Sequence, residues 1–185
     1  MDKKWWKEAV VYQIYPRSFM DSNGDGYGDL EGIRSRLDYV KDLGFNTIWI
    51  SPVFCSKFED GGYDITDFYK IDPRFGTNTD LVNLVNDAHE KGIKVCLDLV
   101  AGHTSDKHPW FLESANGDPN GHYADYYIWT KGKKTTPPKP ERGGWVKNEY
   151  PRDGYYLMNY YDIQPALNYG YYQPNPENSW EQAYN

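Results

Sequence analysis

The stretch "VVYQIYPRSFMDSNGDGYGD", residues 10–29, joins a short apolar run to a loop rich in acidic and glycine residues. Residues 10–15 have the β-branched and aromatic composition of a strand. Residues 21–29 place oxygen-bearing groups at alternate positions, with glycines in three of the gaps. The predicted strand therefore leads into a loop of the kind that binds a hard cation. The Gly-rich phosphate turn of a doubly wound nucleotide-binding sheet does not occur there.

Counted as an EF-hand loop that starts at residue 21, this stretch has oxygen donors at positions 1, 3, 5, 7 and 9 and a glycine at position 6. The predicted metal ligands are Asp21, Asn23, Asp25, Tyr27 through its carbonyl group, and Asp29. The bidentate glutamate of position 12 is missing because residue 32 is glycine, so a complete EF-hand is not expected. We expect a structural Ca²⁺, or Mg²⁺ with waters; the alternative is a polar turn without metal.

Strands and amphipathic helices alternate along the first hundred residues. The predicted strands are residues 10–15, "FNTIWIS" (45–51) and "IKVCLDLV" (93–100). One helix face is marked by Leu30, Ile33, Leu37, Val40 and Leu43, and a second by Leu81, Leu84, Val85 and Ala88. Gly44 and Gly92 follow these helices as C-terminal caps. This order predicts parallel strands joined by right-handed crossovers.

The connections from helix to strand are short, whereas those from strand to helix are long and polar. Such loops build the active face of a (β/α) barrel, and the absence of a phosphate turn argues against the doubly wound alternative. The predicted fold class is α/β, the amino-terminal part of a (β/α)8 TIM barrel. Residues 1–103 are its first βα units. Residues 104–172 are predicted to form an irregular subdomain inserted after the third strand, because a structureless loop of that length is implausible. Residues 173–185 are predicted to start the helix that returns to the barrel.

The composition excludes several function classes. The chain has 185 residues and a net charge of −7, so nucleic acid is a poor candidate partner. No apolar run is long enough to span a membrane and no signal peptide is evident. Cys55 and Cys96 fit reduced thiols in a cytoplasmic protein. The aromatic share of 17% suits sugar faces and also suits long irregular loops, and composition does not separate these interpretations.

Five blocks in register resemble the α-amylase family of glycoside hydrolases, in particular its oligo-1,6-glucosidase, α-glucosidase and trehalose-6-phosphate hydrolase group. They are "WWKEAVVYQIYPRSF", "DSNGDGYGDL", "GYDITDFYKIDPRFGT", "DLVAGHTSDKHPWF" and "QPALNY". The resemblance implies that the segment after the third strand is the family's B subdomain. It also implies that the loop at 21–29 holds calcium or magnesium.

Carried over by position, the resemblance implies that Asp60, Tyr63 and His103 hold the terminal glucose of an α-glucoside oligosaccharide. Asp98 is implied to orient that site, as is Asp64. Carboxylates suit this role because each accepts hydrogen bonds from two hydroxyl groups. The alternatives are structural: Asp64 as a cap, Asp98 as a buried hydrogen-bonded carboxylate, and His103 as a packing residue.

The chain departs from the family pattern at three positions. Gly102 stands where the family usually has asparagine before the histidine, and Ala166 and Tyr169 stand where "QPALNY" would usually carry aspartate and tryptophan. These changes leave local hydrogen bonds and substrate preference open.

The resemblance places the nucleophile and general acid after strands four and five of the barrel, and the chain contains three strands. We therefore assign no catalytic residue, since retaining glycosidases need both carboxyl groups. The expected function is that of an amino-terminal fragment of a retaining α-glucoside hydrolase, inactive alone and lacking the carboxyl-terminal part of the barrel. The alternative is a non-catalytic carbohydrate-binding or partner-associating half-barrel. Linkage, sugar phosphorylation and the balance of hydrolysis against transglycosylation are not determined by the sequence.

Overall fold

A three-stranded parallel sheet organises the first part of the chain in the computed structural model, which describes residues 4–118, 120–130 and 143–169. A 3₁₀ turn at Trp5–Lys7 precedes the sheet. The strands are β1 Val11–Ile14, β2 Thr47–Ile50, β3 Phe54–Ser56, β4 Ile65–Ile71, β5 Lys94–Leu97, β6 Gly144–Lys147 and β7 Tyr155–Met158. The helices are α1 Pro16–Phe19, α2 Leu30–Ser35, α3 Leu37–Asp42, α4 Asn78–Glu90 and α5 Pro109–Asn116.

The chain forms two compact units, one from Met1–Cys55 with Asp67–Leu99 and one from Ser56–Thr66 with Val100–Asn185. In the first unit the sheet has the order β1-β2-β5. Its strands are parallel, with Ile14 opposite Ile50 and Ile50 opposite Leu97. This confirms the predicted parallel strands and the α/β class, because each crossover carries helix. The first unit is the opening portion of a (β/α) barrel.

The helices between β1 and β2 bury the face that the sequence predicts, with one difference. The predicted single helix is two helices, because Arg36 leaves helical geometry at φ −110° and ψ 10°. The buried positions on these helices are Leu30, Ile33, Leu37 and Val40. Leu43, predicted to lie on the same face, is 53% exposed and caps α3; its inclusion was wrong. Gly44 then turns the chain at φ +89°, as predicted for a C-terminal cap.

Helix α4 begins with a complete capping box. The Thr77 side chain accepts from the Asp80 backbone, and the Asp80 side chain accepts from the Thr77 backbone. Two of the orphan N–H donors at the start of the helix are thereby satisfied. Leu84 and Ala88 are buried along this helix, and Gly92 follows its end at φ +75°, as the sequence predicts.

Two strands were missed by the sequence analysis. Strands β3 and β4 pair as a two-stranded sheet within the connection treated as a loop before α4. The stretch "ITDFYKI" that forms β4 is rich in β-branched and aromatic residues, which is a usable strand signal. The missing period-two alternation explains why it was overlooked: only its two ends are buried, and the residues between them are three half-buried positions followed by two exposed ones.

The second unit has an aromatic core. Strands β6 and β7 are antiparallel, and helix α5 supplies Phe111, which stacks on Trp129 with ring centroids 5.7 Å apart. Tyr156 meets Phe111 edge-on at 4.9 Å. The Arg152 guanidinium lies 4.4 Å from the Trp129 ring centroid and donates to the Ala124 carbonyl. Part of the high aromatic content is thus core packing of this irregular unit.

The structure leaves the predicted domain boundaries and the predicted last helix untested. The boundaries at residues 103 and 172 stay predictions, and the helix predicted at 173–185 lies outside the described residues. Within the described ranges, no helix is long and apolar enough to cross a membrane. Cys55 and Cys96 are free thiols.

Candidate functional site

The loop between β3 and β4 carries the first set of candidate residues. Gly61 and Gly62 adopt φ values of +84° and +109°, which only glycine takes without strain. Phe58 has φ +64° and, among the residues that the structure describes, is the one non-glycine residue with a positive φ. Its backbone N–H donates to Ser56 Oγ at 2.7 Å. Strained backbone of this kind costs about 1–3 kcal/mol and is concentrated at functional sites.

Asp60 is held by two hydrogen bonds of the second unit. Its Oδ1 accepts from the Asp64 backbone N–H at 2.8 Å, and its Oδ2 accepts from Gln164 Nε2. Gln164 is 2% exposed and its Oε1 in turn accepts from the backbone N–H groups of Tyr160 and Tyr161, both at 3.2 Å. The Asp60 side chain is itself half-buried. It is therefore fixed in orientation while part of its surface stays accessible.

Asp64 lies beneath this loop and is fully buried. Its Oδ1 accepts from Ser56 Oγ at 2.5 Å and its Oδ2 accepts from the Glu59 backbone N–H at 3.2 Å. The pKa of the Asp64 carboxyl is raised from 3.8 to about 6: burial is the largest cause and the nearby Asp60 carboxyl adds to it, while the hydrogen bonds from Ser56 and from the Glu59 backbone oppose them. A carboxyl group whose pKa is raised in a loop beside a candidate site is typical of functional sites.

His103 is 4% exposed and both of its ring nitrogens have partners. Nε2 lies 3.2 Å from the Tyr63 carbonyl oxygen and Nδ1 lies 3.0 Å from Asn159 Nδ2. Burial lowers the pKa of the His103 imidazole, against the opposing effects of the Tyr63 carbonyl and of Asp60. The ring is therefore neutral at pH 7. A sugar hydroxyl at Nε2–H would share that hydrogen with the Tyr63 carbonyl.

The backbone around His103 is braced on both sides within the second unit. His103 bridges Ala166 in antiparallel fashion. The Leu167 N–H donates to the Gly102 carbonyl at 3.1 Å, and the Ser105 N–H donates to the Ile65 carbonyl at 2.9 Å. The block "QPALNY" thus has a structural role beside the histidine. At the departures from the family pattern, Ala166 is buried and the Tyr169 hydroxyl donates to the Ala101 carbonyl.

The structure thus brings together three of the four predicted sugar-binding residues. Asp60, Tyr63 and His103 all belong to the second unit, and the hydrogen bonds above link their segments. Asp98 belongs to the first unit, where its backbone N–H donates to the Ile50 carbonyl at 3.1 Å, and it is half-buried. The assignment of all four residues to sugar binding stays a prediction.

The predicted metal loop is ordered by its own hydrogen bonds. Asp21 Oδ1 accepts from the backbone N–H groups of Asn23 and Gly24, and its Oδ2 accepts from that of Gly26. These backbone donors, Gly26 foremost, lower the pKa of the Asp21 carboxyl. Asn23 and Asp25 accept from the residue two places further on. Throughout the described ranges, no three His, Cys, Asp or Glu side chains converge as a metal site.

Asp29 and Gly32 explain why this loop differs from an EF-hand. Asp29 Oδ1 accepts from the Gly32 N–H at 2.6 Å and caps α2, while its Oδ2 accepts from Ser22 Oγ at 2.8 Å. A Cβ at residue 32 would lie 1.9 Å from the Met20 carbonyl oxygen. The backbone packing therefore leaves no room for a glutamate at position 12. The remaining donors fit a loop that binds a cation through exposed oxygens and water, and the metal stays a prediction.

Comparison with known proteins identifies the family. Residues 13–184 match the family model described as alpha amylase, catalytic domain. The chain belongs to the α-amylase family. It is 51% identical over 174 residues to an oligo-1,6-glucosidase of Bacillus cereus, covering 91% of this chain and 31% of that protein. It is 48% identical over 172 residues to a probable alpha-glucosidase of Rhizobium meliloti, again covering 31% of the relative.

Solved structures of similar sequence agree with this fold. The chain superposes on a trehalose-6-phosphate hydrolase of Bacillus licheniformis with a TM-score of 0.83 at 43% identity, covering 90% of this chain and 31% of that one. An isomaltulose synthase of Klebsiella sp. LX3 gives the same TM-score at 44% identity. The chain spans about a third of the length of these relatives. The partial barrel and the resemblance read from the sequence are thereby confirmed.

The sequence analysis missed two side chains of the site, Gln164 and Asn159. Gln164 could have been found, because it opens a block already picked out by the family resemblance. Asn159 stands in a tyrosine-rich run without a motif. Its contact with His103 joins residues 56 positions apart, and no local pattern indicates such a contact.

Proposed function

We propose that this chain supplies the glucose-recognition half of a retaining α-glucoside hydrolase that acts on short α-linked gluco-oligosaccharides. Asp60, Tyr63 and His103 bind the terminal glucose, and Asp98 orients the site. The chain contributes no catalytic acid or nucleophile. The remainder of a barrel, which includes both catalytic carboxyl groups, completes the active enzyme.

The joint placement of Asp60 and His103 carries this proposal. The Asp60 carboxylate is held by Gln164 and by the Asp64 N–H, so it is oriented before any ligand binds. His103 offers a neutral N–H donor close to the Tyr63 backbone. An oriented acceptor and an oriented donor together recognise a hydroxyl pair, and they discriminate strongly against ligands that lack those hydroxyl groups. The names of the relatives, oligo-1,6-glucosidase and alpha-glucosidase, support the same substrate class.

The loop at 21–29 binds a structural Ca²⁺ or Mg²⁺ in this proposal. Asp21, Asn23, Asp25, the Tyr27 carbonyl and Asp29 would hold it. A bound cation would hold the connection between β1 and α2 by linking the exposed oxygens of Asp21, Asn23 and Asp25 to Asp29, which caps α2. A cytoplasmic location is also proposed, and the two free thiols are consistent with a reducing compartment.

An Asp60→Asn variant tests the sugar site. NMR titration of isomaltose into the 185-residue chain and into this variant measures the two dissociation constants. A hydrogen bond to a charged group is lost, so we expect binding to weaken roughly 10- to 100-fold. Asp125→Asn is the matched control, because Asp125 is an exposed carboxylate of the same unit, and it should bind as the parent does.

Equal affinity in Asp60→Asn and the parent would contradict the assignment of Asp60. Binding without turnover fits both the recognition half of an enzyme and a non-catalytic carbohydrate-binding half-barrel. Addition of the carboxyl-terminal part of a related barrel separates these two: restored hydrolysis supports the enzyme, and sustained binding without hydrolysis supports the binding module.

A further inference from the structure

Asn159, which directly follows strand β7, contacts a ring nitrogen of His103. Its Nδ2 lies 3.0 Å from His103 Nδ1, within hydrogen-bond range. Asn159 directly follows β7, whose last residue is Met158, and its N–H donates to the Gln164 carbonyl at 2.9 Å. The amide is therefore attached to the same segment that holds Asp60 through Gln164.

The two partners of His103 determine its tautomer. The Tyr63 carbonyl oxygen can only accept, so the Nε2 that faces it at 3.2 Å must carry a hydrogen. In the neutral ring Nδ1 is then an acceptor, and the Asn159 NH₂ group is a donor. The contact between Asn159 and His103 is thus a matched donor–acceptor pair. A hydrogen-bond acceptor in place of the Asn159 amide would favour a hydrogen on Nδ1, and so would compete with the Nε2–H tautomer.

Gly102 leaves the space that the amide occupies. A Cβ built on Gly102 would lie 2.8 Å from Asn159 Nδ2, and the next nearest atom is Asn159 Cγ at 3.9 Å. A single methyl group at residue 102 therefore displaces the amide and meets nothing else within that range. The glycine before the histidine and the asparagine after β7 act as a pair.

In the part of the chain that the structure describes, few charged or titratable groups act on His103. Asp60 acts on the imidazole electrostatically, and the Asp64 carboxyl interacts with Asp60. The Tyr160 ring meets the imidazole edge-on with centroids 6.2 Å apart. Asn159 adds no charge, so it stabilises the neutral ring by hydrogen bonding alone.

We propose that Asn159 is a positioning residue for His103: its amide, admitted by Gly102, donates to Nδ1 and holds the ring with Nε2–H beside the Tyr63 backbone, at the edge of the proposed sugar site. This deepens the proposed function, since it specifies how the histidine is prepared to donate to a glucose hydroxyl. Loss of the amide leaves a buried nitrogen without its donor. The ring then loses the hydrogen bond that fixes its orientation at Nδ1, while the Tyr63 carbonyl still accepts from Nε2–H.

The test uses ¹⁵N NMR of the histidine rings in the sugar-free 185-residue chain, followed by titration with isomaltose. The variants are Asn159→Leu, which removes the donor at similar size, and Gly102→Ala, which displaces the donor without changing it. Asn168→Leu and Gly121→Ala are matched controls in the same unit. In the parent we expect the Nε2–H tautomer with a hydrogen-bonded Nδ1. In both test variants the Nδ1 resonance should move toward that of a free acceptor nitrogen, and sugar affinity should fall roughly two- to tenfold.

The double variant Asn159→Leu with Gly102→Ala should show no further change, because both substitutions remove the same hydrogen bond. An unchanged Nδ1 resonance in Asn159→Leu would overturn the proposal, as would a changed resonance with unaltered sugar affinity. If the parent binds no isomaltose, the proposed function fails, and the Nδ1 resonances of the sugar-free chain still decide whether Asn159 donates to His103 Nδ1. If Asn159→Leu does not fold, the smaller substitution Gly102→Ala tests the same hydrogen bond, and an unchanged Nδ1 resonance in that variant would overturn the proposal.

Discussion

Asp64 makes the stability of the chain depend on pH in an uncommon direction. Its pKa is about 6 in the folded chain against 3.8 ordinarily, so the folded state binds this proton more tightly than the unfolded state. The stabilisation is fully present below pH 3.8 and is lost as the pH rises to about 6. Over that window the group removes about 3 kcal/mol from the free energy of unfolding.

We predict that Asp64→Asn flattens this part of the pH profile, because its amide is neutral at every pH. Urea unfolding at several pH values between 4 and 7 measures the difference between parent and variant. The carboxyl ¹³C resonance of Asp64 in the parent should titrate with a midpoint near pH 6. A midpoint near pH 4, or the same slope in both proteins, would show that burial does not shift this group.

Gly32 is required by close backbone packing. Its Cβ would lie 1.9 Å from the Met20 carbonyl oxygen, and overpacking of this kind costs about 1–3 kcal/mol. We expect Gly32→Ala to lower the free energy of unfolding by about 2 kcal/mol, although alanine favours helix. Gly24→Ala is the comparison: it has open space and φ +83°, so it should cost about 1 kcal/mol. A Gly32→Ala chain as stable as the parent would contradict the packing argument.

At the scale of elements, the sequence predicts those whose signals are local. Strands β1, β2 and β5 and helix α4 follow from apolar periodicity and from caps such as Gly44 and Gly92. The break at Arg36 does not follow, because the apolar spacing continues across it. Helix α5 was missed because its eight residues are short for a periodic signal and it is buried among aromatic side chains from distant segments. The contacts of Asn159 and Gln164 depend on such tertiary pairing.

The loop between α1 and α2 is the element whose predicted metal can be tested directly. We expect Ca²⁺ at about 100 times its dissociation constant to raise Tm by roughly 5–10 °C relative to chelator. In the double variant Asp21→Ala with Asp25→Ala this shift should disappear. Asp21 also holds three backbone N–H groups, so the variant is destabilised regardless, and the measured quantity is the calcium-dependent shift rather than Tm itself.

Asp38→Ala serves as the control for the metal loop, because Asp38 is an exposed acid that pairs with Lys91 away from that loop. It should retain the full calcium-dependent shift. Thermal unfolding of the parent that is identical with calcium and with chelator would show that the loop is a polar turn without metal.

At the scale of the whole molecule, the first unit presents apolar residues outward. Among apolar positions in or beside the parallel strands β1, β2 and β5, the largest exposed fractions belong to Leu99 at 81%, Val10 at 51% and Val11 at 46%. In the proposed enzyme, the further strands and helices of the barrel would cover part of this apolar surface.

The measurement that tests the account most directly is saturation-transfer NMR of isomaltose with the 185-residue chain, with the free-glucose signal followed over a day. The account predicts saturation of the non-reducing glucose protons, because Asp60 and His103 recognise that residue. It also predicts no increase in free glucose, because the chain carries no catalytic acid or nucleophile. Absence of saturation would contradict the sugar site, and accumulating glucose would contradict the division between recognition and catalysis.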